Sequence, residues 1–125
     1  MDTSSKTLLT DTELELMLIL WKLQEASVHD AIAALPPTRP MAYTTASTII
    51  RILEKKGFVA SRKEGKAHLY SPTLSKQEYE SRTLGHVVGR LFENTPAALV
   101  ARLIDDHKLS ADEIAELKRM LDARK

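Results

Sequence analysis

The sequence predicts a mainly α-helical protein carrying one short β-hairpin. Three observations lead there. Apolar residues recur at i, i+3, i+4 and i+7 in successive segments. Two Thr/Ser-x-x-Glu boxes, Thr10–Glu13 and Ser110–Glu113, mark helix starts. One stretch, FVASR and AHLYS about a glycine turn, changes to a strand-like pattern. The expected plan is three helices and a two- or three-stranded antiparallel hairpin over residues 1–74, then a helical region over 75–125.

Composition supports a folded chain with few chemical options. Of the 125 residues, 43% are hydrophobic and 28% charged, which is a globular balance. There is no cysteine, so disulfides, thiolate metal sites and cysteine nucleophiles are excluded, and a reducing cytoplasm is the expected setting. The longest apolar run, Leu16 to Trp21, is too short to span a bilayer, and the N-terminus lacks a signal-peptide pattern. Charge is uneven. Residues 1–38 carry two basic and six acidic groups, residues 39–76 eight and two, and residues 77–125 eight and nine. A +6 middle between flanks of −4 and −1 favours a polyanionic partner at one face.

Residues 1–9 lack periodicity and read as a frayed arm. Leu14, Met17, Leu18 and Trp21 then give the first helix, about 11–24, with Glu13 and Glu15 suited to its positive end. Ser27 caps a short second helix with Val28, Ala31, Ile32 and Leu35 on its buried side. Pro36 to Pro40 form a stiff turn into a third helix from Tyr43 to Lys56. Ala46, Ile49, Ile50 and Leu53 form that helix's apolar stripe. The opposite side carries Thr44, Ser47, Thr48, Arg51 and Lys55, with no carboxylate among them. Short hydroxyls permit close approach to a polymer backbone, and Arg offers a planar fork for guanine or phosphate. Two short helices joined by a tight turn, the second with such a face, match a helix-turn-helix with its reading helix in DNA.

Gly57 is placed to end the third helix. The hairpin follows, with Lys63-Glu64-Gly65-Lys66 as its loop and Arg62, Lys63 and Lys66 crowding the tip. A basic hairpin directly after a reading helix is the wing of a winged helix-turn-helix. Ser75 caps a long helix of about 75–93, which includes Tyr79, Leu84, Val88 and Leu91. Thr95-Pro96 starts another, with Val100, Leu103 and Ile104. The Ser110 box starts the last, with Ile114, Leu117 and Leu121. About fifty residues of such helices cannot bury this apolar surface on one another. A second copy of the chain is the expected cover, and two-fold symmetry would present two reading helices one DNA turn apart.

Chemistry of other kinds is absent. The four histidines are scattered without metal-ligand spacing, and His68, beside the hairpin, reads as a phosphate or surface contact. No phosphate-binding glycine loop or nucleophile elbow occurs, so neither catalytic residues nor a cofactor or metal is expected. Two other functions share the scaffold: a protein-interaction adaptor, and a repressor gated by a small molecule held between its helical arms.

The blocks LTDTELELMLILW, AYTTASTIIRILEKKGFV, GKAHLYSP and LSADEIAEL resemble, in this order, the penicillinase-repressor and methicillin-resistance-repressor family. The resemblance spans about residues 8–123. It implies a cytoplasmic bacterial repressor, dimeric through its C-terminal helices, that binds a palindromic operator on double-stranded DNA. By position it brings Thr44, Thr45, Thr48 and Arg51 to the DNA. Many members carry a basic residue where this chain has Ile52. The resemblance further implies derepression by a membrane sensor-protease pathway, with the cut bond near Arg102-Leu103. The residues there differ from the family's Asn-Phe type of site. A copper-responsive branch uses C-terminal cysteines, which this chain lacks.

Overall fold

Six helices and one hairpin appear in the order the sequence suggests, in a computed structural model that describes residues 8–124. They are α1 (Asp11–Leu23), α2 (Val28–Ala33), α3 (Tyr43–Lys55), β1 (Val59–Glu64), β2 (Ala67–Pro72), α4 (Lys76–Leu91), α5 (Pro96–Asp105) and α6 (Ala111–Ala123). Residues 1–7 of the expected N-terminal arm lie outside the described residues. Leu8 and Leu9 do not fray: both are half-buried, and the Leu9 N–H donates to Tyr79 Oη at 2.8 Å.

Local chemistry explains where the elements start. Both expected capping boxes form, at Thr10–Glu13 and Ser110–Glu113. Two more occur, at Ser27–Asp30 and Ser75–Glu78, each with reciprocal hydrogen bonds of 2.9–3.1 Å. Thr95 occupies the N-cap of α5 without a side-chain cap bond, and Pro96 supplies the first helical residue. Gly57 takes φ +87° after α3, a conformation that costs glycine little.

The hairpin is longer than the sequence suggests. Glu64 pairs with Ala67, so the turn is the two residues Gly65-Lys66. Gly65 at φ +61° is the positive-φ first residue that the favoured two-residue turn of type II′ demands. A third segment joins at one point only. Ala26 and Tyr70 exchange backbone hydrogen bonds of 3.0 and 2.8 Å, tying the α1–α2 connection to β2.

One core holds these parts. Leu16, Met17 and Leu20 of α1 are fully buried with Ala46, Ile50 and Leu53 of α3, and Val28 and Ala31 of α2 close one side. Trp21 and Phe58 pack on Tyr79, with ring centroids 5.7 and 5.8 Å away. The Trp21 Nε1–H donates to the Leu74 carbonyl at 2.9 Å, so its buried polar atom is satisfied. Tyr79 lies on α4, and the first compact unit accordingly runs through Thr83, with the second starting at Leu84. The sequence suggests a break after residue 74, where the strand pattern ends. The aromatic contacts of Tyr79 carry the first part of α4 into the first unit instead.

Two ion pairs fasten the ends of helices. Glu13, buried, accepts both a capping bond from Thr10 N–H and two 2.9 Å bonds from Lys56 Nζ. Burial pushes the Glu13 carboxyl up, but the Lys56 bonds and charge with the Thr10 N–H outweigh it and hold it below its ordinary range. Glu15 accepts a bidentate fork from Arg39, with its closest contact 2.9 Å. The first-turn acids of α1 therefore do more than suit the helix dipole. Glu13 binds the end of α3, and Glu15 binds the turn that precedes α3.

A carboxyl held below its unfolded value adds stability that is present above that value, about 4.3 for glutamate, and lost as pH falls toward the folded one. Lys56→Ala should cost about 1–3 kcal/mol in urea unfolding at pH 7, leaving a buried carboxylate short of donors. That deficit should shrink below about pH 4; an equal deficit at pH 7 and pH 3.5 would exclude the ion pair as its cause. Tyr79→Ala should destabilise the first unit by about 3–5 kcal/mol, as loss of a buried aromatic does. A melting temperature unchanged by Tyr79→Ala would separate α4 from that core.

Candidate nucleic-acid interface

α3 lies with one side in the core and the other in solvent. Because Ala46, Ile50 and Leu53 are buried, Thr44, Thr45, Thr48, Arg51 and Lys55 are left exposed. Spacings of 44, 48, 51 and 55 repeat at four, three and four residues, which keeps the four side chains on one stripe. Thr48 also donates its hydroxyl to the Thr44 carbonyl at 2.9 Å, which leaves its methyl and its acceptor lone pairs outward.

Ser47 is the exception. The sequence places it on the outer face, but it is buried, with 8% of its surface exposed. Its position, one residue after Ala46 and three before Ile50, turns it toward the α2 side, where α2 and the hairpin cover it. It belongs to the inner wall of a cleft and does not face outward with the threonines.

The seven basic residues between positions 39 and 66 divide into two groups. Lys56, Arg39 and Arg62 are held by Glu13, Glu15 and Glu25. Among the described residues, no carboxylate pairs with Arg51, Lys55, Lys63 or Lys66, and all four are exposed. These four belong to α3 and the hairpin. The net positive charge of the central third is thereby concentrated on the elements that also expose the threonines.

Strand geometry separates Arg62 from Lys63. Successive side chains point to opposite faces of a ribbon. Lys63 pairs with His68, and Ser61 with Tyr70, so Lys63 and His68 share the face on which Tyr70 is buried. Arg62 and Glu64 lie on the other face and meet at 3.4 Å. There Arg62 also forks onto Glu25 at 2.8 and 2.9 Å. This pair holds Glu25 below the ordinary carboxylate range and raises Arg62 further. Arg62 thus connects the hairpin to the α1–α2 segment next to the Ala26–Tyr70 bridge, whereas Lys63 and Lys66 stay uncommitted. Alternation along β1 carried this distinction in the sequence; the identity of Glu25, thirty-seven positions away, was not legible there.

Between α2, α3 and the hairpin runs a cleft of about 390 Å³, lined by His29, Tyr43, Ser47, Arg51, Lys66 and His68 among others. The sequence scatters His29 and His68, and the fold brings them to one cleft. Tyr43 shares a helical side with Ser47 and Arg51 at i, i+4 and i+8, a spacing that could have flagged it. His29 packs against Tyr43 with ring centroids 4.6 Å apart and planes tilted by 36°. Among the described residues no group of three or more His, Cys, Asp or Glu is placed to hold a metal ion. No helix among them is long and apolar enough to cross a membrane.

Beyond Thr83 the helices are differently disposed. No residue of α5 or α6 is buried, and of α4 only Tyr79 is. Leu84, Leu91, Val100, Ile104, Leu117 and Leu121 are exposed, with Leu91 at 72% and Leu121 at 66%. Val88, Leu103 and Ile114 are half-buried. Arg102 is exposed within α5, where it meets Asp106 at 3.6 Å.

The chain matches the family described as penicillinase repressor over residues 9–123. It is 28% identical over 117 residues to the penicillinase repressor of Bacillus licheniformis, spanning 94% of this chain and 91% of that one. It is 27% identical over 116 residues to the methicillin resistance regulatory protein MecI of Mammaliicoccus sciuri, spanning 93% and 94%. Among solved structures, the DNA-binding domain of the repressor BlaI is 31% identical, with a TM-score of 0.51 over 57% of this chain and 87% of that one. A mutant MarR of E. coli shares the fold at 16% identity, with a TM-score of 0.55 over 97% of this chain and 81% of that one. Sequence match over almost the full length, and a winged helix-turn-helix exposing threonines and unpaired cations, agree: the chain belongs to the penicillinase-repressor family of transcriptional regulators.

Proposed function

We propose that this DNA-binding transcriptional repressor acts in the bacterial cytoplasm as a homodimer on a palindromic operator. The observation that carries it is the partition of charge. Between residues 39 and 66, Arg39, Lys56 and Arg62 are paired with carboxylates, while Arg51, Lys55, Lys63 and Lys66 on α3 and the wing are not. α3 enters the major groove, where Thr44, Thr45 and Thr48 allow close approach and Arg51 reads a base edge. Lys63 and Lys66 take flanking phosphates. Arg62 positions the wing through Glu25 and leaves the phosphates to its neighbours.

The second copy covers the apolar side chains that this chain leaves exposed on α4 to α6, Leu84, Leu91, Val100, Ile104, Leu117 and Leu121. Helices with no buried residue of their own gain their stability from that cover. The family's membership supports derepression by cleavage at Arg102-Leu103 in α5.

Selection of bound sequences from random duplex DNA should return an inverted repeat with half-sites about one helical turn, roughly 10 base pairs, apart. Enrichment of no motif, with binding insensitive to salt, would favour a protein-interaction adaptor. Arg51→Ala should cost about 1–3 kcal/mol on the operator and far less on scrambled duplex; equal losses on both would reduce Arg51 to a phosphate contact. Lys66→Ala should lower the slope of log K against log salt by about one. Arg62→Ala should weaken binding without changing that slope, and a fall in slope equal to that of Lys66→Ala would make Arg62 a phosphate contact after all.

A further inference from the structure

The cleft between α2, α3 and the wing has a composition unlike the rest of the surface. None of its ten lining residues is acidic, although the chain has 17 Asp and Glu. Two are permanent cations, Arg51 and Lys66, and neither has a carboxylate partner among the described residues. Two are imidazoles, His29 and His68, from different elements. Tyr43 and Ser47 add hydroxyls. Every one of these six side chains can donate a hydrogen bond, and Arg and Lys can do nothing else. At about 390 Å³ the cleft is at the small end of ligand sites.

We propose that this cleft seats a single phosphate group, with His29, Tyr43 and His68 joining Lys66 as its donors while Arg51, on the cleft wall, is left to the base edge. The proposal rests on the DNA-binding reading for its natural occupant, a backbone phosphate of the strand bordering the groove that α3 enters. Three elements converge on that phosphate: α2 through His29, α3 through Tyr43, and the wing through Lys66 and His68. The contact of His29 with Tyr43 brings both rings together at the cleft wall. A phosphate held from three sides sets the register of α3 in the groove, because backbone contacts orient a reading helix without specifying sequence. Inorganic phosphate offers the same chemistry and should enter the empty cleft of the DNA-free protein.

The test uses the full chain and the variants Tyr43→Phe, His29→Ala and His68→Ala. All three positions are exposed, and circular dichroism with thermal melting checks that each variant folds. Tyr43→Phe retains the ring contact and removes only the hydroxyl. Each variant should weaken binding about tenfold, the loss of one hydrogen bond to a charged group, and equally on operator and scrambled duplex. Unchanged affinity on both duplexes, or a loss confined to the operator, would overturn the phosphate seat.

In a second arm, inorganic phosphate is titrated against chloride at matched ionic strength and the histidine ring resonances are followed. Shifts at His29 and His68 but not at His86 and His107 would place free phosphate in the cleft. Shifts at none, with the uniform loss on DNA intact, would assign the seat to the DNA diester alone. Shifts at all four alike, with no loss on DNA, would overturn it. Should the wild-type chain bind no duplex, the repressor reading fails while the phosphate titration still decides whether the cleft takes the anion.

Discussion

The packing of α3 against α1 is the constraint on which the rest of this structure depends. Ala46, Ile50 and Leu53 are fully buried with Leu16, Met17 and Leu20, and this fixes the rotation of α3 about its own axis. A helix has no freedom to present other residues once its apolar stripe is seated, because interiors are close-packed and each side chain has one place. The outward stripe of Thr44, Thr48, Arg51 and Lys55 is therefore a consequence of the inward one. The burial of Ser47 follows from the same rotation, with α2 and the hairpin near enough to cover it.

Electrostatic contacts act on top of this packing by fixing ends. Glu13–Lys56 holds the last residue before Gly57, and Glu15–Arg39 holds the turn that feeds α3, so both termini of the reading helix are tied to α1. Glu25–Arg62 and the Ala26–Tyr70 bridge do the corresponding service for the wing. The exposed pairs of Arg39 and Arg62 contribute little stability in water, unlike that of the buried Glu13. Their larger effect is on which cations stay available. Of the seven positive groups between residues 39 and 66, three are paired with carboxylates and four are not, and the four are those of α3 and the wing. A charged protein surface obtained this way is directed, so a polyanion meets it in one orientation.

The two compact units differ in how complete they are. The first has a core of its own, with an aromatic cluster reaching from Trp21 to Tyr79. The second has helices with good caps and amphipathic faces but no buried residue past Tyr79. Capping boxes and a Pro start specify where α5 and α6 begin, and they do so locally. Apolar cover is a separate requirement, and Leu91 and Leu121 do not find it among the described residues.

The sequence by itself determined the elements, the order of helices and hairpin, and, Ser47 apart, the outward face of α3. These features depend on residues within one or two turns of each other, as at Thr10–Glu13, Ala46–Ile50–Leu53 and Gly57, and short-range spacing is directly legible. Full-length resemblance was equally legible, because it needs only matching blocks in matching order. Tertiary structure alone decided the partners: Glu25 for Arg62, Glu13 for Lys56, Leu9 for Tyr79, and one cleft for His29 and His68. Each of those contacts joins residues tens of positions apart, and a linear pattern holds no signal for which distant charges or rings the packing of the core will bring within bonding distance.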